Sequence, residues 1–182
     1  MGTLKGREAT RHRLREAAWA TLQQRGLEGT TVRAVAEAAG CAVGAVYLYY
    51  PNKTALLEDL VLGALAELGR QVAMRSNRPA LEAVTGGMRA VFGAGKPAAD
   101  LLLVLFRSGS TAETEFGRRV AGRLLTALAP LTAQLAGIAP QEAAAKALAA
   151  ACFAFGFTLF ESSGLLARLG GDAAAVVGAA TP

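Results

Sequence analysis

Histidine occurs once in the 182 residues, as His12, and cysteine twice, as Cys41 and Cys152. These cannot supply the spaced ligands that hold zinc or a related ion, so no metal site and no cofactor is expected. Two distant cysteines make no disulfide framework, and no secretory leader is evident, so a reducing cytoplasm is the expected compartment. Cys41 reads as a buried substitute for valine, since no neighbouring basic residue marks it as reactive. No alternation of apolar and polar residues signals a strand, and no repeat is present. There is no G-x-S-x-G elbow, no P-loop and no paired histidine ligands, so an enzyme is not expected. Charged residues are sparse at 18%, and the mean hydropathy of +0.34 raises the question of a membrane. The most apolar run, Ala147 to Phe160, counts 14 residues between Lys146 and Glu161. A bilayer needs about 20. Much of the run is alanine, which favours helix without being strongly lipophilic, so a buried helix and no membrane partner are expected.

What remains is helix after helix, separated by Gly and Pro. A first helix is predicted from Arg7 to Gln24, with an inner stripe of Leu14, Ala17, Ala18, Thr21 and Leu22, ending at Gly26. Asn52 reads as the N-cap of a long fourth helix reaching Met74. Further helices are expected from Pro79 to Phe92, Pro97 to Arg107, Ala112 to Leu135, Pro140 to Leu166 and Asp172 to Gly178. Pro130 should kink one of them. The fold class expected is all-α, with a domain over residues 1–55 and a second over 56–182, the boundary falling inside the fourth helix. Charge follows the same division. Residues 1–55 carry eight Lys/Arg against four Asp/Glu, and residues 56–182 carry eleven against ten. Arg7, Arg11, Arg13 and Arg15 cluster on the first helix, where they could track phosphates or form a solvated face.

The run from Gly26 to Leu56 is the most informative. Val32, Val35, Ala36 and Ala39 recur at helical spacing, and Gly40 stands where a left-handed residue stops a helix. A second short helix from Ala42 to Tyr49 must begin at once. Val46 and Tyr50 would face the core, leaving Val43, Gly44, Tyr47, Leu48 and Tyr49 outward. Helix, tight turn and second helix are the elements that set a recognition helix into a major groove.

Arg25-Gly26, Thr30-Thr31-Val32, Ala36, Ala39-Gly40, Tyr47, Tyr50-Pro51-Asn52-Lys53 and Leu56 stand in the order and spacing of the TetR family of bacterial transcriptional regulators, which this third of the chain resembles. That resemblance implies an N-terminal three-helix DNA-binding domain of helix-turn-helix type, joined through the long fourth helix to a helical ligand-binding and dimerisation domain. It departs at the turn, where Cys41-Ala42-Val43 lacks the hydroxyl that often caps the recognition helix in the family. The DNA-binding residues implied are Thr31, Arg33, Ala42, Val43, Gly44, Tyr47, Leu48, Tyr49 and Lys53. Thr31 and Lys53 lie at helix N-termini that favour a phosphate, and the two tyrosines carry phenolic donors for the backbone. Arg33 is placed by the resemblance to reach a guanine edge, Gly44 allows close approach, and Val43 and Leu48 suit thymine methyl groups. Singly, each has an ordinary structural alternative: packing for the tyrosines, capping for Thr31, solvation for Lys53. As one spaced set they point to DNA.

In the C-terminal part the resemblance implies a cavity for a small effector. Phe92, Leu102, Phe106, Arg107, Phe157 and Glu161 are its expected lining, although most apolar residues there serve an ordinary core. With few charges present, a mostly hydrophobic effector is expected, held by Arg107 or Glu161. The helix from Pro140 is apolar nearly all round, so one side should meet a twofold mate, with Ala147, Ala151 and Phe155 as the dimer contacts. The expected function is a transcriptional repressor that binds a palindromic double-stranded DNA operator as a homodimer and is released by the effector. Two alternatives stay open at this point. An activator or global regulator would use the same motif, and a ligand-carrying or membrane-associated helical protein would not need it.

Overall fold

Gly40 adopts φ 64° and ψ 39°, the left-handed conformation a residue without Cβ reaches at no steric cost, and this fixes the turn after the helix Val32–Ala39. The computed structural model describes residues 4–93, 95–98, 101, 114–134, 139–168 and 170–180. Its elements are α1 (Leu4–Gly29), α2 (Val32–Ala39), α3 (Val43–Tyr47), α4 (Lys53–Ala73), α5 (Ala80–Phe92), α6 (Glu115–Gln134), α7 (Pro140–Ser162), α8 (Leu165–Arg168) and α9 (Ala173–Ala180). Among the described residues there is no strand, and the all-α class expected from the missing alternation holds.

The chain divides into two compact units, with the division between Gly63 and Ala64. It therefore falls inside α4, eight residues beyond the boundary expected at position 55. The first unit packs α1, α2, α3 and the first half of α4. Leu14, Ala17, Ala18, Thr21, Leu22, Val35, Val46, Tyr50, Leu56 and Leu60 are buried in it, which includes the inner stripe predicted for the first helix. α1 extends past the expected end at Gln24 because the chain turns at Gly26, with φ 66° and ψ −174°, and then winds on to Gly29. Asn52 caps α4 as expected, its side-chain oxygen accepting from the Ala55 amide at 2.8 Å.

In the second unit the remainder of α4 packs on α5 through a close backbone approach. A Cβ built on Gly87 would stand 2.9 Å from Val72 Cγ2 and 3.3 Å from Leu68 Cδ1. Only a glycine admits that distance without displacing a neighbour. Leu68, Val72, Val84, Met88, Phe92, Leu128, Leu131, Ala147, Ala154 and Phe157 are buried here. α6 runs through Pro130 without interruption.

The expectation of a buried helix at Ala147–Phe160 needs correction. α7 is 23 residues long, and an 18-residue window within its stretch Pro140–Glu161 has a mean hydropathy of 1.7 with 28% of that window buried. Among the described residues this one helix is long and apolar enough to cross a membrane, judged by length and composition. The 14-residue reading stopped at Lys146, but that ammonium lies 3.0 Å from Glu142 one turn earlier, and the helix continues through the pair.

Candidate nucleic-acid interface

The geometry of α2, turn and α3 follows directly from a few local bonds. Thr31, extended at φ −107° and ψ 158°, accepts the Ala34 amide on its Oγ1 at 3.1 Å and so starts α2. The hydroxyl proton stays available to donate outward. α2 stops at Gly40, where the Cys41 amide donates back to the Ala36 carbonyl at 3.0 Å and closes a Schellman-type ending. Ala42 then leads into α3, and no side chain caps it, as the missing hydroxyl implied. α3 spans Val43–Tyr47, shorter than the expected 42–49, because Leu48 and Tyr49 form a turn that closes on Val46.

Val46 and Tyr50 anchor this short helix from beneath, both essentially buried, as their spacing predicted. The opposite face is open to solvent. Val43, Tyr47 and Leu48 are 36%, 52% and 77% exposed, Ala42 and Gly44 are also exposed, and Tyr49 is half-buried. Arg33 and Thr31 are exposed on α2. Val43 and Leu48 leave apolar surface open on this face.

Lys53 has a second task that spacing did not reveal. Its Nζ donates to the Leu27 carbonyl at 2.8 Å and to the Glu28 carbonyl at 3.3 Å. The ammonium thus ties the end of α1 to the start of α4, adding a charged donor to the Leu27 carbonyl, which also accepts the Thr30 amide at 3.3 Å, and to the Glu28 carbonyl. One N–H remains for an anion.

The cluster beneath Tyr50 went unpredicted. Asp59 on α4 is buried, and its carboxylate receives the Tyr50 hydroxyl at 2.8 Å, Arg15 Nε at 2.8 Å and Arg11 Nη2 at 2.7 Å. The Arg11 guanidinium also lies 5.8 Å from the centre of the Tyr50 ring. Burial pushes the Asp59 carboxyl up, but the Arg15 and Tyr50 hydrogen bonds and the two guanidinium charges outweigh it and hold it below the ordinary 3.8. The Tyr50 phenol is pushed up to about 12, first by burial and then by the Asp59 charge. Desolvation lowers Arg11, but the Asp59 charge together with the Tyr50 and Asp59 hydrogen bonds and the Tyr50 charge outweighs it and raises the group. Arg11 and Arg15 are therefore committed to Asp59, which corrects their reading as free phosphate-tracking charges; Arg7 and Arg13 stay exposed. Arg11 and Arg15 are one turn apart on α1, but Asp59 stands beside a second acid, half-buried Glu58, so local spacing does not single it out.

In the second unit the expected effector residues are only partly brought together. Leu102, Phe106 and Arg107 lie outside the described residues. Phe92 and Phe157 are buried, with Phe157 stacked on Phe153 at 6.0 Å between ring centres. Glu161 is taken by Arg89 of α5 at 2.7 Å, so its carboxylate is already paired. Of the expected dimer contacts, Ala147 is buried within its own unit. Its side of α7 is the one turned inward, with Ala143, Ala154 and Phe157. Ala151 and Phe155 are half-buried. The exposed apolar side of α7 carries Leu148 and Phe160, and α6 exposes Leu125.

Residues 14–60 match the family described as bacterial regulatory proteins, tetR family. That segment contains the whole run, Arg25 to Leu56, that carries the resemblance. No curated protein matches the sequence. Among solved structures, SCO4313, a candidate regulatory protein, is 18% identical over 96% of this chain and 94% of that one, with a TM-score of 0.65. The TetR family repressor AlkX from Dietzia sp. Strain DQ12-45-1b, implicated in biodegradation of n-alkanes, is 21% identical over 84% and 83%, with a TM-score of 0.53. FadR from Bacillus subtilis in complex with stearoyl-CoA is 17% identical over 93% and 94%, with a TM-score of 0.54. At such identities the likeness is one of fold.

Proposed function

From the TetR-family fold and its helix-turn-helix, we propose that this chain is a ligand-responsive transcriptional repressor that acts in the cytoplasm. The observation that carries the reading is the solvent-facing set of Thr31, Arg33, Val43, Tyr47 and Leu48 around a short helix held from below by Val46 and Tyr50. Arg33 reads a guanine edge, Val43 and Leu48 contact thymine methyl groups, and Ala42 and Gly44 let the backbone approach the groove. Thr31, Tyr47, Tyr49 and Lys53 hold phosphates and fix the register.

The operator is palindromic and the protein a homodimer, because two recognition helices about 34 to 36 Å apart reach successive major grooves. Leu125, Leu148 and Phe160, exposed on α6 and α7, support a twofold contact there. The effector is a small, mostly apolar molecule bound in the second unit. The relatives named for n-alkane degradation and for a stearoyl-CoA complex support that chemistry. α4 begins at Lys53 and contributes Leu68 and Val72 to the second unit, so ligand binding there tilts the helix and withdraws the DNA-binding face. Release requires that the ligand favour the non-binding conformation, by about 1 to 3 kcal/mol for a 5- to 150-fold effect.

Selection of bound duplexes from a random pool tests the reading. Recovery of a palindrome, and lowered transcription when it is placed at a promoter, is expected. Raised transcription would favour an activator, and recovery of no sequence preference would remove the reading. A second reading rests on α7, whose apolar and largely unburied span also suits a membrane-associated or ligand-carrying protein. Flotation of the protein with lipid vesicles separates the two.

A further inference from the structure

The described residues include four buried threonines, Thr21, Thr30, Thr85 and Thr158. Three of them give their hydroxyl proton to the carbonyl four residues back: Thr21 to Ala17 at 2.8 Å, Thr30 to Gly26 at 2.7 Å and Thr158 to Ala154 at 2.7 Å. That bond is open to a threonine on any helix. Thr85 does not use it. Its Oγ1 is the buried side-chain polar atom that has no partner among the described residues. Native interiors leave few such groups, because a hydroxyl removed from water keeps its desolvation cost until something bonds it.

Its position on α5 tells which way it faces. Arg89, one turn later on the same side, reaches Glu161 of α7 at 2.7 Å, while Gly87 abuts Val72 and Leu68 of α4. Thr85 therefore lies on the side of α5 that turns to α7. Leu81, Met88 and Phe92 share that side at helical spacing and are buried with it. The nearby charges, Arg89 and Glu161, neutralise each other. A ligand reaching this hydroxyl meets apolar side chains and one neutral polar atom that can both donate and accept.

We propose that Thr85 is the polar anchor of an effector site in the second unit, bonding the hydroxyl or carbonyl of a neutral, mostly apolar ligand seated against the α7-facing side of α5. The inference rests on the ligand-responsive reading above and replaces Arg107 and Glu161 as the anchor. An anionic head group is disfavoured, since no unpaired cation faces Thr85 among the described residues to balance its charge.

The test uses the full chain without DNA. Bound 1-aminoanthracene is displaced by 1-decanol or by decane from the wild type, Thr85→Val and Thr85→Ser. In the wild type the alcohol should outcompete the alkane, and Thr85→Val should lose about three- to tenfold of that preference, the worth of one hydrogen bond. Thr85→Ser, which keeps the hydroxyl, should restore it. Unliganded Thr85→Val should melt at the wild-type temperature or above, since the isosteric change removes a hydroxyl that has no partner. A lower melting temperature means that the hydroxyl is already bonded inside the protein and overturns the proposal. Equal preference in wild type and Thr85→Val, or no displacement by 1-decanol, also overturns it. Duplex selection by the same wild-type protein is scored separately, so failure of DNA recognition cannot be mistaken for failure of this site.

Discussion

The Tyr50 hydroxyl donates to Asp59 at 2.8 Å, joining the residue that supports the recognition helix from beneath to the first half of α4. Arg11 and Arg15 complete the arrangement from α1, so one carboxylate holds three elements together. Replacing Tyr50 by Phe keeps the buried ring and removes the bond. The expected loss is about 1 to 3 kcal/mol of stability, read from chemical denaturation. A loss below a few tenths would mean that the two arginines satisfy Asp59 unaided.

The same carboxylate sets a pH dependence. Its pKa in the folded chain lies below the ordinary 3.8, so its contribution is present above that value and is lost as pH falls through the folded value. The stability gap between wild type and Asp59→Asn should be full at neutral pH and begin to close only as pH falls below the ordinary 3.8. Tyr50 acts at the other end. Its phenol titrates at about 12 when folded against 10.0 ordinarily, so stability should fall as pH rises through that interval. Tyr50→Phe should lack this alkaline decline, as melting curves across pH would reveal.

Arg33 and Lys53 should separate sequence reading from backbone grip. Arg33→Ala is expected to cost about 1 to 3 kcal/mol on the selected operator and little on random duplex. Lys53→Ala should weaken both alike and lower the salt slope by about one unit. It should also melt earlier, because the charged tie from α4 to the Leu27 and Glu28 carbonyls of α1 is lost. Identical salt slopes for the two variants would contradict these roles.

Gly40→Ala should destabilise the first unit by about 1 to 2 kcal/mol, the cost of a Cβ at a left-handed residue. A Cβ there meets nothing within 4 Å, so the loss is conformational and not a clash. Circular dichroism melting measures it.

Assembly is tested at Leu148, which is 60% exposed, so a charge there leaves the packed interior alone. Leu148→Glu is expected to convert a dimer to a folded monomer in light scattering and to abolish binding to a palindrome. A wild-type monomer at micromolar concentration would remove the dimer proposal.

The sequence by itself determined the elements and their ends wherever the cause was local. Apolar spacing from Val32 to Ala39 makes one helical face, Gly40 stops it, Asn52 starts α4, and Val46 with Tyr50 turns inward; each depends on neighbours within a turn or two. The outward set from Thr31 to Leu48 was legible for the same reason, as the remainder once the inward face is known. Tertiary structure decided what each polar group meets. Arg11, Arg15 and Asp59 are 44 to 48 residues apart in sequence, and no local pattern says that two arginines of a basic cluster will turn to one buried acid. Lys53 likewise finds carbonyls 25 and 26 residues away. In α7 the apolar composition is nearly uniform around the helix, so periodicity could not choose the inward side. Packing chose it, burying Ala147 and leaving Leu148 exposed, because side-chain shape and not polarity distinguishes the faces of such a helix.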